Sequence, residues 1–347
     1  ASQVASVSAA AAFAARAAER TRSLPKSGGR VGTHSGTFQA DEALACWLLR
    51  QLPDYAQAEV IRSRDLQVLE PLDIVVDVGA SYDPSRLRFD HHQRGFFETV
   101  DGEMGKAACP EQATGRWKTK LSSAGLVYKH FGREIIARLA GTDAASTELV
   151  FAEVYDRLVE AVDCIDNGVE MCEGALRFKD LSGIASRVAR LNPRWNEASD
   201  EADQYRRFEQ ASALCGAEFL DILGDVVEGW LPARGVVEAA LQKRLQVHPS
   251  GQVLRLDAGS LPWRGHLYEL ERAESIVGQV KFVLYADQVP VEGRPFTNRL
   301  SLPESWCGLR AILSCNKRDC CFAHANGFIA GNSSAEGALA LSITSYD

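Results

Sequence analysis

Between residue 30 and about residue 170, short apolar runs alternate with stretches whose apolar positions recur at helical spacing. This is the pattern of a mostly parallel sheet covered by helices. Residues 30–34, 59–62, 72–78 and 87–90 read as four strands. Between the first two, residues 41–52 read as a helix: Ala43, Leu44, Cys46, Trp47 and Leu48 supply a buried face, while Asp41 and Glu42 suit the positive end of a helix dipole. Ser122 or Ser123 caps a helix running through Phe131, and residues 148–165 form a longer helix that stops at Asp166-Asn167-Gly168. Residues 98–118 hold Gly102, Gly105, Pro110 and Gly115 among polar residues and read as a surface loop.

Beyond about residue 180 the pattern turns helical over 181–191, 202–223 and 226–246, then strand-like around 253–256, 280–286 and 321–330. The expected fold class is therefore α/β, with a catalytic domain over 30–180 followed by a helical connection and a smaller C-terminal α+β domain over 181–347.

Composition changes the picture at the N-terminus. Residues 1–30 are rich in Ala and Ser, carry Arg16, Arg20, Arg22, Lys26 and Arg30, and include Glu19 as their one acid. That reads as a mitochondrial or plastid transit peptide, or as a disordered alanine-rich tail, and sets residues 1–29 outside the expected fold. No run approaches 18 apolar residues, so no membrane-spanning helix is indicated and no membrane partner is expected. The net charge of −8 argues against a generic nucleic-acid coat but not against a nuclease, whose metal ions neutralise phosphate themselves. Nine cysteines without a Cys-x-x-Cys pair fit a reducing compartment.

The candidate chemistry sits at strand ends. The third strand delivers Asp77 to its C-terminal end, where open α/β sheets place their ligands, and the fourth runs into Asp90-His91-His92. Carboxylates and neutral imidazoles are the usual ligands of Mn²⁺, Mg²⁺ or Zn²⁺. A Gly-containing turn over residues 32–42 lets His34 and Asp41 converge, and the helix ending at Asp166 adds Asp163 and Asp166. His34, Asp41, Asp77, His91 and Asp166 together make a sulfur-free N/O set that favours Mn²⁺ or Mg²⁺ over structural Zn²⁺.

The segments His34-x-Gly-Thr-Phe-x-x-Asp-Glu-Ala-Leu-Ala-Cys, Asp77-Val-Gly-x-x-Tyr-Asp-Pro, Asp90-His-His-Gln-Arg, Thr119-Lys-Leu-Ser-Ser-Ala-Gly-Leu, Val162-Asp-x-x-Asp-Asn-Gly, Arg187-Val-Ala-Arg-Leu-Asn-Pro-x-Trp and Trp230-Leu-Pro-Ala-Arg follow one another in order. In these the chain resembles the eukaryotic MYG1 exonuclease family of the DHH phosphoesterase superfamily, over roughly residues 30–340. The resemblance implies a DHH-type α/β domain and a smaller C-terminal domain, with the active site in the cleft between them. It implies a manganese- or magnesium-dependent 3′–5′ exonuclease of single-stranded RNA, found in mitochondria and nucleus. His34, Asp41, Asp77, His91 and Asp166 would hold two metal ions, with Asp77 bridging, His92 touching the scissile phosphate and Asp90 orienting a histidine. Arg94 and Lys120 are candidates for the phosphate backbone.

Two segments depart from that pattern. The family reads Phe-His-Cys-Asp-Glu where this chain has Phe38-Gln39-Ala40-Asp41-Glu42, leaving the Gln39 amide, with Asp163, as a further candidate ligand. The glycine-rich substrate loop, which includes Gly331, carries Asn332, Ser333, Ser334 and Ala335 where His and basic residues are expected, which weakens the grip on a polyanion. A hydrolase of small phosphoanhydrides or short oligonucleotides, and a catalytically impaired homologue that binds RNA or a partner, are the alternative readings.

Overall fold

The computed structural model describes residues 2–23, 28–103, 115–258 and 261–284 and, towards the C-terminus, 290–291, 294–298, 302, 304, 307, 320–324, 329–332 and 335–344. Residues 104–114 of the expected loop, and 285–286, 325–328, Ser333 and Ser334 of the expected C-terminal strands and loop, lie outside the described residues. Two compact units divide between Val227 and Glu228.

The first unit opens with a helix, α1 (Ser2–Arg22), then β1 (Arg30–Thr33), α2 (Ala40–Leu49), β2 (Glu59–Arg62), the one-turn α3 (Leu66–Leu69), β3 (Ile74–Val76), β4 (Tyr82–Asp83) and β5 (Arg88–Phe89). These strands form one sheet in the order β2-β1-β3-β5-β4, parallel throughout except for the β4–β5 pair. Val31, Ile74, Val75, Val76 and Phe89 are buried, as expected of parallel strands covered on both faces. A crossover order of this kind puts the C-terminal ends of β1, β3 and β5 side by side. The short pairs β6 (Glu98–Thr99) and β7 (Gly102–Glu103) follow within the segment read as loop.

Helices then close over the sheet: α4 (Ser123–Ala140), α5 (Ala144–Val154), α6 (Glu160–Asp166), α7 (Ile184–Ala189) and α8 (Glu201–Asp225). Ser122 caps α4, its hydroxyl 3.5 Å from the Gly125 amide, and the helix runs nine residues past Phe131 to Ala140, where Gly141 adopts the left-handed conformation that ends it. Asp143 caps α5, and one widened turn, Tyr155–Val159, joins α5 to α6, so the expected 148–165 helix is present with an earlier start and a π-type bulge.

The boundary expected at residue 180 therefore lies too early. Helices α7 and α8 pack on α2: Phe208 meets Phe38 edge-on at 5.9 Å, Trp47 meets Phe219 at 5.4 Å, and the Asn192 side chain both accepts from the Phe38 amide and donates to its carbonyl. Residues read as a connection are one wall of the first unit. Residues 2–22, set outside the fold by composition, also pack on it. Phe13 and Ala17 are buried, Phe13 lies against Gly224, and the Arg20 guanidinium donates to the Leu139 carbonyl at the exposed end of α4. The composition that suggested a tail is also the strongest helix former.

The second unit contains α9 (Leu231–Gln242), α10 (Arg244–Val247), β8 (Val253–Arg255), α11 (Trp263–Ala273), β9 (Phe282–Leu284), β10 (Pro290–Val291), β11 (Arg294–Asn298), β12 (Cys320–Ala323), β13 (Ala330–Asn332) and α12 (Ala335–Thr344). Val237, Leu241, Leu254, Trp263, Leu267 and Val280 are among its core residues, and β8 pairs with β9 in parallel. This is the α+β composition read from the sequence. Among the described residues no helix is long and apolar enough to cross a membrane, and Cys46, Cys164, Cys172, Cys215 and Cys307 are free thiols.

Candidate metal centre

Three neighbouring parallel strands end in the residues that matter. His34 follows β1, Asp77 follows β3, and Asp90 and His91 follow β5. Asp77 holds a left-handed backbone, φ 56°, a conformation Asp tolerates better than bulkier residues, while its N–H donates to the Phe89 carbonyl at 3.1 Å. That turn points the carboxylate between the two histidines. His34 Nε2 lies 3.4 Å from Asp77 Oδ2, and His91 Nε2 lies 3.5 Å from Asp77 Oδ1. Asp77 thus offers one oxygen to each side.

On the His91 side, Asp166 Oδ2 is 3.0 Å from the same Nε2, and Asp41 completes a group whose ligand atoms all lie within 4.8 Å of one another. Asp41 is anchored from behind: its carboxylate accepts from the Ser123 and Ala124 amides at the N-terminus of α4, at 3.1 and 2.5 Å, and from the Ser122 hydroxyl at 2.5 Å. A helix N-terminus favours the anion electrostatically. Burial pushes the Asp41 carboxyl well above its ordinary range, and the neighbouring Asp77 and Asp166 charges push it the same way.

On the His34 side the structure adds a residue that sequence reasoning did not assign. Glu42 is fully buried, with Oε1 3.1 Å from His34 Nε2. The signal was present, as a second acid beside Asp41 in the first turn of a helix whose every other neighbour is apolar. His34 Nδ1 faces the Ser35 carbonyl at 3.2 Å, and Arg64, also unassigned, donates to that carbonyl and places a guanidinium nitrogen 3.2 Å from Nδ1.

The pKa shifts show how much negative charge converges here. Burial lowers the pKa of His34, yet Asp77 and Glu42 outweigh it and raise it to about 10. Burial likewise opposes, and Asp166 and Asp77 overcome, the rise of His91 to about 10. Burial would raise Asp77, but the two histidines hold it down at about 2.

The donor set fits a hard divalent cation. His91 Nε2 is buried and makes no hydrogen bond despite two carboxylates within 3.5 Å. Its Nδ1 faces the Asn167 amide oxygen at 3.3 Å, and because that oxygen only accepts, Nδ1 donates to it, so that in the neutral ring Nε2 holds the lone pair that faces the centre. The centre's carboxylate oxygens suit hard divalent cations, and its imidazoles add nitrogen donors.

His92 and Asp90 adjoin the centre: His92 Nδ1 lies 3.6 Å from Asp77 Oδ1, and Asp77, Asp90, His91 and His92 make a further group with ligand atoms within 4.8 Å of one another. His92 Nδ1 donates to Asp90 Oδ1 at 2.7 Å, and Asp90 Oδ2 accepts from the Ala80 amide at 2.6 Å. Asp90 is buried while the His92 side chain is 61% exposed, so the remaining imidazole nitrogen is open to a substrate.

The other candidates fall elsewhere. Asp163 is no open ligand: Oδ1 accepts from the Ser122 amide at 2.9 Å and lies 2.7 Å from the Ser122 hydroxyl oxygen, and Oδ2 accepts from the Tyr155 hydroxyl at 2.8 Å. It backs Ser122, and Gly125 is required beside it, since a Cβ there would come within 2.3 Å of Oδ1. Gln39 is exposed, and its backbone N–H donates to Glu42. Lys120 is half-buried with Nζ over the Phe96 ring, and burial lowers its pKa against the raising effect of Asp166 and Asp90 nearby. Arg94 is exposed in the turn after His92. Gly331 and Asn332 lie on β13 in the second unit.

An α/β unit whose parallel strand ends present buried carboxylates and imidazoles to one point defines a protein with a candidate centre for hard divalent cations. Residues 30–345 match the model of an uncharacterised protein family, UPF0160, labelled as the MYG1 exonuclease family. The chain is 45% identical to "MYG1 exonuclease" of Bos taurus over 338 residues, covering 93% of this chain and 86% of that protein. It is 44% identical to "MYG1 exonuclease" of Homo sapiens, over 93% of this chain and 87% of the other, and 44% identical to "MYG1 protein" of Dictyostelium discoideum, over 90% and 95%. No solved structure matches it. The chain belongs to the MYG1 family.

Proposed function

We propose that this chain is a metal-dependent phosphodiesterase that removes nucleotides from the 3′ ends of single-stranded RNA. The observation that carries the metal part is the pairing of His91 and His34 across Asp77, with His91 Nε2 buried and left without a hydrogen bond. The nuclease part is supported by the relatives named MYG1 exonuclease, and the DHH-type centre, RNA and 3′ polarity by the motif resemblance.

His34, Asp41, Asp77, His91 and Asp166 would hold two Mn²⁺ or Mg²⁺ ions. Such ions lower the pKa of a bound water and neutralise charge on the phosphoryl group. The chain's own groups do the rest. Asn167 fixes the His91 tautomer, α4 orients Asp41, and Asp90 holds the Nδ1 proton of His92, leaving the opposite nitrogen as the one that would meet the scissile phosphate. Arg64, Arg94 and Lys120 are the cations we assign to phosphates, and the motif resemblance gives Gly331 and Asn332 as substrate-binding residues. For a mitochondrial location the support is the basic, Ala/Ser-rich composition of residues 1–30.

The test is a purified-protein digest with Mn²⁺ and 5′-labelled single-stranded RNA, run beside pyrophosphate, with Asp77→Asn as control. A ladder that shortens from the 3′ end and disappears in the control is the expected result. Release of orthophosphate from pyrophosphate alone would transfer the reading to small phosphoanhydrides. Hydrolysis of neither substrate, with no heat of Mn²⁺ binding, would leave a binding protein.

A further inference from the structure

We infer that Glu42, rather than Gln39, completes the His34 and Asp77 side of the centre as a carboxylate ligand. The inference rests on the metal-dependent reading above and concerns which side chain of α2 closes it.

Three atoms meet there: His34 Nε2, Glu42 Oε1 at 3.1 Å from it and Asp77 Oδ2 at 3.4 Å from it, all within 4.8 Å of one another and all on buried residues. Gln39, the position at which the motif resemblance calls for an imidazole, is exposed and contributes its backbone N–H to Glu42. A neutral amide is also the weaker partner for a hard cation, which selects charged carboxylate oxygens.

Glu42 has an ordinary structural role as well, because it sits at the third position of α2 and accepts from the Gln39 amide at 2.9 and 3.1 Å. That role requires neither burial nor charge, since caps of this type are served equally by glutamine. A carboxylate taken wholly out of water needs a cation to offset its lost hydration; the His34 imidazole, 3.1 Å away, supplies one when protonated, and a bound metal ion would take that proton's place. One N–H also uses only part of its capacity, and Oε1 retains a lone pair for the point where His34 Nε2 and Asp77 Oδ2 converge. The two roles coexist: the cap fixes the side chain's direction, and the charge faces the centre.

The same logic supplies the experiment. Glu42→Gln keeps the cap and the volume while removing the charge, so cap and ligand separate in one substitution. Mn²⁺ is titrated into the full chain by calorimetry, with bound metal counted by elemental analysis after desalting, for wild type, Glu42→Gln, Glu42→Asp and Gln39→Ala. The expected result is two ions for wild type and Gln39→Ala. Glu42→Gln should retain one ion, or bind the second at least about tenfold more weakly, the lower end of what losing a metal-orienting group costs. Glu42→Asp, which keeps the charge on a shorter arm, should fall between. Circular dichroism in EDTA confirms that each variant is folded, and Glu42→Asp carries the comparison if Glu42→Gln is not. Two ions bound to Glu42→Gln with wild-type affinity, or an ion lost from Gln39→Ala, overturns the inference and leaves the metal-dependent reading standing. A wild-type protein that takes up no Mn²⁺ overturns both.

Discussion

Asn167 holds His91 by its ring nitrogen: the amide oxygen lies 3.3 Å from His91 Nδ1, while the amide nitrogen donates to the Lys120 and Asp163 carbonyls, each at 2.9 Å. Two carbonyl acceptors fix which end of the amide is nitrogen, so the oxygen is left to set the imidazole tautomer. Asn167→Ala frees the ring and should weaken Mn²⁺ binding about 10–100-fold, the range for groups that orient a ligating histidine. Titration calorimetry reads this directly, and an unchanged affinity would show that His91 is held by the carboxylates alone.

Metal binding should release protons. His34 and His91 reach about 10 in the metal-free protein, and a cation takes only the neutral imidazole. Each histidine therefore makes the apparent affinity rise with pH, by up to about tenfold per pH unit below its own pKa. Calorimetric enthalpies at neutral pH should vary with the ionisation enthalpy of the buffer. Buffer-independent enthalpies would mean that the histidines are already neutral.

The stability of the metal-free protein carries the matching sign. Both histidines are raised above their ordinary 6.5, so their contribution is complete below that pH and is lost as pH rises through about 10. Asp77 is lowered, so its contribution is complete above its ordinary 3.8 and is lost as pH falls towards about 2. Urea midpoints in EDTA should accordingly fall towards pH 10. A midpoint that climbs from pH 7 to 10 would contradict the charge arrangement.

Behind Asp41, the chain Tyr155–Asp163–Ser122 is buried and mutually hydrogen-bonded. Asp163→Ala leaves the Ser122 amide and the Tyr155 hydroxyl unpaired, each costing about 1–3 kcal/mol, for a combined loss of roughly 2–6 kcal/mol. Tyr155→Phe removes one donor and should cost about 1 kcal/mol. Urea unfolding in EDTA measures both without the metal. A near-neutral Asp163→Ala would show that water enters the gap.

Removing Phe13 tests whether α1 belongs to the fold. The ring is buried against Gly224, so Phe13→Ala should destabilise the first unit by about 3 kcal/mol, at the lower end for a buried aromatic. Thermal melting resolves a loss of that size. An unchanged melt would place α1 outside the cooperative unit.

Local pattern made the strand-and-helix alternation of residues 30–166 legible, because period and caps are written in neighbouring residues. A serine cap of α4, at Ser122 or Ser123, and Asp77 at a strand end could be read directly. Side-chain partnership across long separations could not. The wall formed by α7 and α8 depends on Phe208 and Asn192 meeting Phe38, and nothing near residue 180 announces that contact. Composition misled at residues 2–22, because an alanine-rich basic segment is both tail-like and strongly helical, and only the packing of Phe13 distinguishes the two.

The sequence by itself determined which residue types could make the centre, and His34, Asp41, Asp77, His91 and Asp166 do converge. Tertiary structure alone decided their duties. Asp163 and Asp166 are three residues apart on one helix, yet the first is saturated by Ser122 and Tyr155 and the second faces His91. Gln39 caps α2 and Glu42 lies in its first turn, yet one is exposed and the other buried beside His34. A carboxylate's role follows from what surrounds it, from the donors that use its lone pairs and the water it has lost, and those neighbours come from distant parts of the chain.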